Sequence, residues 1–297
     1  MFEVERLTKV YGDGTRALVD LSLRFGHGML GLLGPNGAGK TTFLSLLVLA
    51  REPSGGRRLY DGLDASRPSA RPAIRRLLGY LPQEFSPIPF LTGHEYLVHC
   101  ARLREVELGS RSLHRRAGEL LEAVGLEHAA ERRSGEYSGG MRRRLGIAQA
   151  LIHEPRLLVV DEPTSGLDPE ERIRFRSLIA EVAEERAVVL STHIVEDVEA
   201  TCPRLCVIAR GRLLFDGTPA ELMRPSAGRL WKLPTDRPPA PGLGVVSRRS
   251  HPGGGTTTVV LGEEAVEGAL PHEPTLEEAY GVFLLDRSLP LAEGEER

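Results

Sequence analysis

Residues Gly34 to Thr42 read Gly-Pro-Asn-Gly-Ala-Gly-Lys-Thr-Thr, a full match to the G-x-x-x-x-G-K-[ST] phosphate-loop pattern. Successive backbone N–H groups of such a loop turn inward around phosphate oxygens. Gly34, Gly37 and Gly39 therefore stand where side chains would obstruct, with Pro35, Asn36 and Ala38 completing the turn. Lys40 supplies a point charge toward the phosphates, Thr41 is suited to place its hydroxyl on Mg²⁺, and Thr42 continues into a helix whose N-terminus favours an anion. The flanks fit this reading, because Met29 to Leu33 is an apolar run suited to a buried strand and Phe43 to Ala50 continues as an apolar helix. A Gly-rich turn matching by chance lacks that strand before and helix after.

Further along, other strand exits carry chemistry. Leu157 to Val160 is a fully apolar run closed by Asp161 and Glu162. Adjacent residues of a strand face opposite ways, so the two carboxylates have different tasks: Asp161 is placed to hold Mg²⁺ and Glu162 to polarise a water. Ala187 to Ser191 is a second buried run, followed by Thr192 and His193. An isolated histidine is most simply structural, but these runs all end where a doubly wound sheet lines its ligand crevice. Gln83 follows the buried run to Leu81 and is able to ligate Mg²⁺ or orient a water through its amide oxygen; alone it is a weak signal. Tyr11 lies upstream of the loop, where its ring either stacks on a purine or packs on its own sheet.

A second anion site is suggested by Ser138-Gly139-Gly140 at the start of a helix that runs to Pro155, with a hydroxyl, exposed N–H groups and no obstructing side chains. Ser54-Gly55-Gly56 has the same letters with no helix after it and reads as a decoy. Asp168-Pro169 caps another helix. Between Phe85 and about Gly135 the pattern is helical: Thr92 and Glu95 form a capping box, and Leu113 to Val124 stops at Gly125. Arginines at 102, 104, 111, 115, 116, 132 and 133 read as solvated helix faces or as a surface for a partner.

The chain has 297 residues, 41% hydrophobic and 27% charged, enough for one large core and a smaller appendage. A formal net charge of −3 gives no reason to expect nucleic acid, and no apolar stretch approaches the roughly 18 residues of a membrane-spanning helix. Met1 to Val10 reads directly into structure with no apolar signal core, so cytoplasmic residence is the expectation. Cys100, Cys202 and Cys206 contain no C-x-x-C pair and read as reduced core filler. Lys9, Lys40 and Lys232 are the three lysines, which makes Lys40 hard to dismiss as surface decoration. The stretch from Leu233 to Gly244 is proline-rich and reads as a linker, followed by a strand at Thr256 to Leu261 and a helix capped by Thr275 and Glu278.

Taken in order, Gly34 to Thr42, Gln83, Ser138-Gly-Gly, Asp161-Glu162, Ser165-Gly-Leu-Asp168 and His193 resemble the ATP-binding cassette family over roughly the first 220 residues. The resemblance implies an α/β fold: a P-loop NTPase core with a mostly parallel sheet, an antiparallel β subdomain, a helical subdomain at about 85–155 and a small C-terminal α+β extension. Residues 1–225 would form the ATP-binding domain and 226–297 a linker with an accessory domain. It further implies that Tyr11 stacks on adenine, Gln83 senses Mg²⁺ and the transport partner, Glu162 is the general base, His193 contacts the γ-phosphate and Asp168 crosses to another subunit. ATP and Mg²⁺ are the implied cofactors. Two cassettes, identical or related, would sandwich each ATP between the loop of one and Ser138 of the other. One departure is Tyr137, where the signature of the family usually begins with leucine.

Without a membrane segment, the chain is similar to the ATPase subunit of a bacterial exporter, peripheral to the cytoplasmic face of the membrane and coupled to a separate integral permease. Pro274 to Tyr280 resembles the ending of drug-type exporter cassettes. A soluble cassette acting as an assembly scaffold is the alternative reading. A regulator that binds ATP without hydrolysis is disfavoured by the presence of both Glu162 and His193.

Overall fold

The computed structural model describes residues 1–234, 239, 243–250 and 256–289. These divide into two compact units, Met1–Leu214 and Phe215 onward. The division lies ahead of the boundary expected near residue 225. Most of the proline-rich linker lies outside the described residues.

The first unit opens with β1 (Phe2–Val10) and β2 (Arg16–Phe25), paired antiparallel with register shifts, which bury Phe2, Val4 and Leu7 with Leu18, Leu21, Leu23 and Phe25. β3 (Gly28–Leu33) has five consecutive buried residues, Met29 to Leu33, as a central strand covered on both faces should. It runs straight into α1 (Lys40–Leu47). β4 (Gly55–Tyr60) then pairs with β1 and with the short β5 (Leu63–Asp64), completing a four-stranded antiparallel sheet. Ser54-Gly55-Gly56 thus opens a strand, as the absence of a following helix pattern predicts.

α2 (Arg71–Arg76) precedes β6 (Leu78–Leu81), the buried run that leads to Gln83. Pro72 in the first turn supports that helix, because its missing N–H is an orphan there anyway. The helical portion follows with α3 (Gly93–Leu103), α4 (Ser110–Ala123) and α5 (Gly139–Leu151). Thr92 and Glu95 make the reciprocal capping box that the sequence predicts. Gly125, at φ 66°, ends the second helix in the left-handed conformation. β7 (Leu157–Asp161), α6 (Pro169–Ala183), β8 (Ala187–Ser191), α7 (Val195–Thr201), β9 (Arg204–Ala209) and β10 (Arg212–Gly217) complete the second sheet. Its order is β10-β9-β3-β8-β7-β6, and the contacts of β3 with β8 and β9, of β7 with β8 and of β6 with β7 are all parallel. A shared core joins the two sheets: Phe2, Leu7 and Tyr60 of the antiparallel sheet pack in one cluster with Leu32, Val159 and Val189 of the parallel one and Phe43 of α1.

Tyr137 has a structural partner. Its ring is buried, its hydroxyl donates to the Ala129 carbonyl at 2.7 Å, and a Cβ on Gly93 would lie 2.2 Å from that hydroxyl. Tyrosine in place of the usual leucine is thus accommodated by a glycine at the first position of α3. Gly93→Ala is expected to destabilise the chain by about 1–3 kcal/mol through overpacking. Adding Tyr137→Leu should restore part of the loss in thermal melts, and equal melting of the single and double variants would refute the pairing.

The second unit contains α8 (Pro219–Met223), β11 (Leu230–Leu233), β12 (Gly244–Ser250), β13 (Thr256–Leu261), β14 (Leu270–Pro271) and α9 (Leu276–Leu285). Its sheet order is β12-β13-β11-β14 with antiparallel pairing, and its core includes Leu230, Val259 and Val282. Both the strand at Thr256–Leu261 and the capping box of Thr275 with Glu278 match expectation. Phe215 belongs here, edge to face with Phe283 at 6.0 Å, and α8 packs on α9, which is why this unit starts before residue 225.

Candidate nucleotide site

The parallel sheet places several sequence-predicted residues side by side. Asp161 is in register with Ser191 across β7 and β8, and Ser191 with Leu32 across β8 and β3. Leaving that edge, β3 enters the glycine loop, β7 passes to Glu162 and β8 to Thr192-His193. Two backbone bonds tie the exits together, Glu162 N–H to the Ser191 carbonyl at 2.9 Å and Thr192 N–H to the Leu32 carbonyl at 3.3 Å. Gln83 lies two residues past the end of β6, next to β7, with its side chain exposed.

Within the loop, a Cβ on Gly34 would lie 2.2 Å from the Ile208 carbonyl, so no other residue fits against β9. Gly39 has φ 105° and a Cβ position 2.5 Å from the Ala17 carbonyl, which excludes side chains on both counts. Lys40 opens α1 and turns its ammonium back into the loop, donating to the Gly34 carbonyl at 2.6 Å and the Pro35 carbonyl at 3.4 Å. Burial lowers its pKa, and the charges of Glu162 and Asp161 oppose that shift. Tyr11 shares a hydrogen bond with the Thr42 hydroxyl at 3.1 Å, which sets its ring at the first turn of α1.

The two adjacent carboxylates differ in their surroundings. Glu162 is buried at 6% exposure; one oxygen lies 2.6 Å from His193 Nδ1 and the other 4.0 Å from the Lys40 ammonium. Its φ of 46° is left-handed, a conformation that a residue other than glycine holds only under external constraint. Asp161 is 1% exposed, and neither of its carboxylate oxygens has a hydrogen bond of good geometry; the buried Ser191 hydroxyl and Thr41 are near enough only to temper its pKa. Burial raises the Asp161 pKa; the Ser191 hydroxyl opposes this, the charge of Glu162 adds to it, and Thr41 and Lys40 oppose it. A charged group buried without partners is costly, and a cation bound there would compensate it.

Ser138 caps α5 by accepting from the Met141 N–H at 3.1 Å, and both Ser138 and Gly139 are exposed. Gly140 is packed beneath the Glu171 carboxylate, which pairs with Arg144 at 3.3 Å. Asp168 caps α6 by accepting from the Glu171 N–H at 2.9 Å and is itself exposed. Among the described residues, no hydrogen bond or ion pair joins the Ser138–Gly140 corner to the Gly34–Thr42 loop of the same chain.

Two residues absent from the sequence reading shape the neighbourhood. Arg143 of α5 donates to the carbonyls of Glu162 and Ser165, each at 2.7 Å. Asp197 of α7, 1% exposed, accepts from the Thr164 hydroxyl and from Arg176 Nε at 2.6 Å. Arg143 sits in a run of three arginines and Asp197 in an acidic helix start; no spacing rule marks either.

Known proteins converge on the same stretch. Residues 18–165 match the family model described as ABC transporter. The chain is 40% identical to the Nod factor export ATP-binding protein I of Cupriavidus pinatubonensis, over 77% of this chain and 69% of that protein. It is 41% identical to the daunorubicin resistance ATP-binding protein DrrA2 of Streptomyces coeruleorubidus, over 73% and 67%. Among solved structures, the dimeric post-hydrolysis state of the ATP-binding cassette MJ0796 bound to ADP and Pi aligns with a TM-score of 0.67 and 25% identity, over 73% of this chain and 98% of that one. With the phosphate loop, the paired strand-end carboxylates and His193 assembled at one sheet edge, and with relatives matched over two thirds of their length, the chain belongs to the ABC transporter family, as an ATP-binding subunit with ATPase activity.

Proposed function

We propose that the chain powers an exporter, by closing in pairs around two ATP molecules and driving a separately encoded membrane permease. The observation that carries the pairing is the exposed Ser138–Gly139 corner, a helix start suited to an anion that, among the described residues, makes no bond to the phosphate loop of its own chain. A second cassette, identical or related, would bring its loop to this corner, and Asp168 would approach the partner. ATP then favours the closed pair by binding both surfaces at once.

In this reading Gly34 to Thr42 cradle the phosphates, Tyr11 stacks on the adenine, and His193 contacts the γ-phosphate. Glu162 accepts the proton of the attacking water. The orphaned oxygens of Asp161 fit a divalent cation, so Asp161, Thr41 and Gln83 would hold Mg²⁺, which would neutralise phosphate charge. Export is favoured by the relatives named for Nod factor export and daunorubicin resistance.

No described helix is long and apolar enough to cross a membrane. In this reading a separate permease supplies the passage. The segment after Gln83 would receive it, with Phe90 standing 70% exposed. Purification from native membranes in mild detergent, followed by mass spectrometry, tests this. A polytopic protein should be recovered in stoichiometric amount and lost on Phe90→Asp. Recovery of soluble partners only, with ATPase absent from the membrane fraction, would favour the assembly-scaffold reading.

A further inference from the structure

Arg143 lies on α5, the helix that Ser138 caps, and its guanidinium reaches out of that helix to two backbone carbonyls. One is the carbonyl of Glu162 and the other that of Ser165, both at 2.7 Å. Glu162 holds φ 46°, so its backbone is not at rest in an ordinary well and depends on its surroundings. Its N–H is fixed by the Ser191 carbonyl of β8, and its carbonyl by Arg143. Both backbone polar groups that orient this side chain are thus accounted for.

The segment is also held from its other side. The Thr164 hydroxyl donates to Asp197, which Arg176 pairs. Residues 162–165 therefore lie clamped between α7 and α5. A planar guanidinium suits the α5 side, since its fixed fork can serve two acceptors while an ammonium offers a single centre. Because α5 is a continuous helix from Gly139 to Leu151, a shift of its N-terminus carries Arg143 with it.

We infer that Arg143 is a positioning residue that sets the backbone of Glu162 according to the placement of the Ser138 helix, so that occupancy of the Ser138 corner governs hydrolysis at the chain's own phosphate loop. This rests on the functional reading above, in which the corner and the loop serve different ATP molecules. Arg143 touches no reacting atom. Its effect is on where the Glu162 carboxylate stands.

The test uses the purified full chain and steady-state ATPase, with ATP affinity from a fluorescent nucleotide analogue and thermal melts alongside. Arg143→Gln should lower kcat by about 10- to 100-fold, the scale of a small misplacement of a catalytic group. KM and ATP affinity should stay within about twofold of the parent. Arg143→Lys should recover part of kcat. In the Glu162→Gln background, Arg143→Gln should cost nothing further, because a group that acts through Glu162 has nothing left to place. An unchanged kcat in Arg143→Gln, or a full multiplicative loss in the double variant, would overturn the assignment. The functional reading fails separately, if Glu162→Gln alone turns over at the parent rate.

Discussion

Glu162→Gln is expected to keep ATP binding and to lower turnover by about 10²- to 10⁴-fold, the usual worth of a general base. The substitution conserves shape and removes the ability to take a proton. Everything that places the side chain stays: the Ser191 carbonyl on its N–H, the Arg143 guanidinium on its carbonyl and the packing that leaves it 6% exposed. An amide can still meet His193 through one oxygen or one nitrogen, so the site should remain assembled. What changes is the 4.0 Å approach to Lys40, where a charge is lost. That ammonium then has less to attract it away from a phosphate, and ATP should bind at least as tightly as before. Rapid single-turnover measurements with labelled ATP separate the two effects, since binding and chemistry are read independently. A variant that hydrolyses at the parent rate would remove Glu162 from the role, and the nearest remaining group, His193, would become the candidate base.

Most of this site could be read from sequence because its parts are local. A phosphate loop is one continuous turn, a capping box spans four residues, and a buried strand announces itself by an unbroken apolar run; Gly34 to Thr42, Thr92 with Glu95 and Leu157 to Asp161 all have that character. Arg143 and Asp197 are not legible in sequence, since their partners lie 19 to 33 residues away and are backbone carbonyls, a hydroxyl and one arginine. Such partners leave no trace in composition or period. Tyr137 is visible only as a departure from a pattern, and its cause sits at Gly93, two helices earlier in the chain, where sequence spacing does not bring the two together. The second unit behaved similarly. Its strand at Thr256–Leu261 is rich in β-branched residues, whereas β11 and β12, which are short or polar and flank the proline-rich stretch, carry no comparable signal.

Asp161→Asn is expected to separate stability from function. The wild-type carboxylate sits at 1% exposure with no hydrogen bond of good geometry to either oxygen, and burial raises its pKa. Exchanging a charge for a neutral amide of the same shape removes the extra desolvation cost of the charge while keeping a polar group there, and should relieve about 1–2 kcal/mol. For a unit of this size each kcal/mol moves the melting temperature by about 2–4 °C, so the variant should melt several degrees higher without Mg²⁺. Turnover should move the other way, falling on the order of 10²- to 10³-fold, the scale of one preorganised electrostatic group. The cation should then lose its leverage: adding MgCl₂ to the ATP-bound parent raises its melting temperature, and adding it to the variant leaves melting unchanged. This pattern arises only if the Asp161 carboxylate is a ligand of a cation site. Were Asp161 a structural carboxylate with a hidden partner, Asp161→Asn would melt lower than the parent and would still respond to Mg²⁺. The sign of the melting shift in metal-free buffer therefore decides the matter before any turnover is measured.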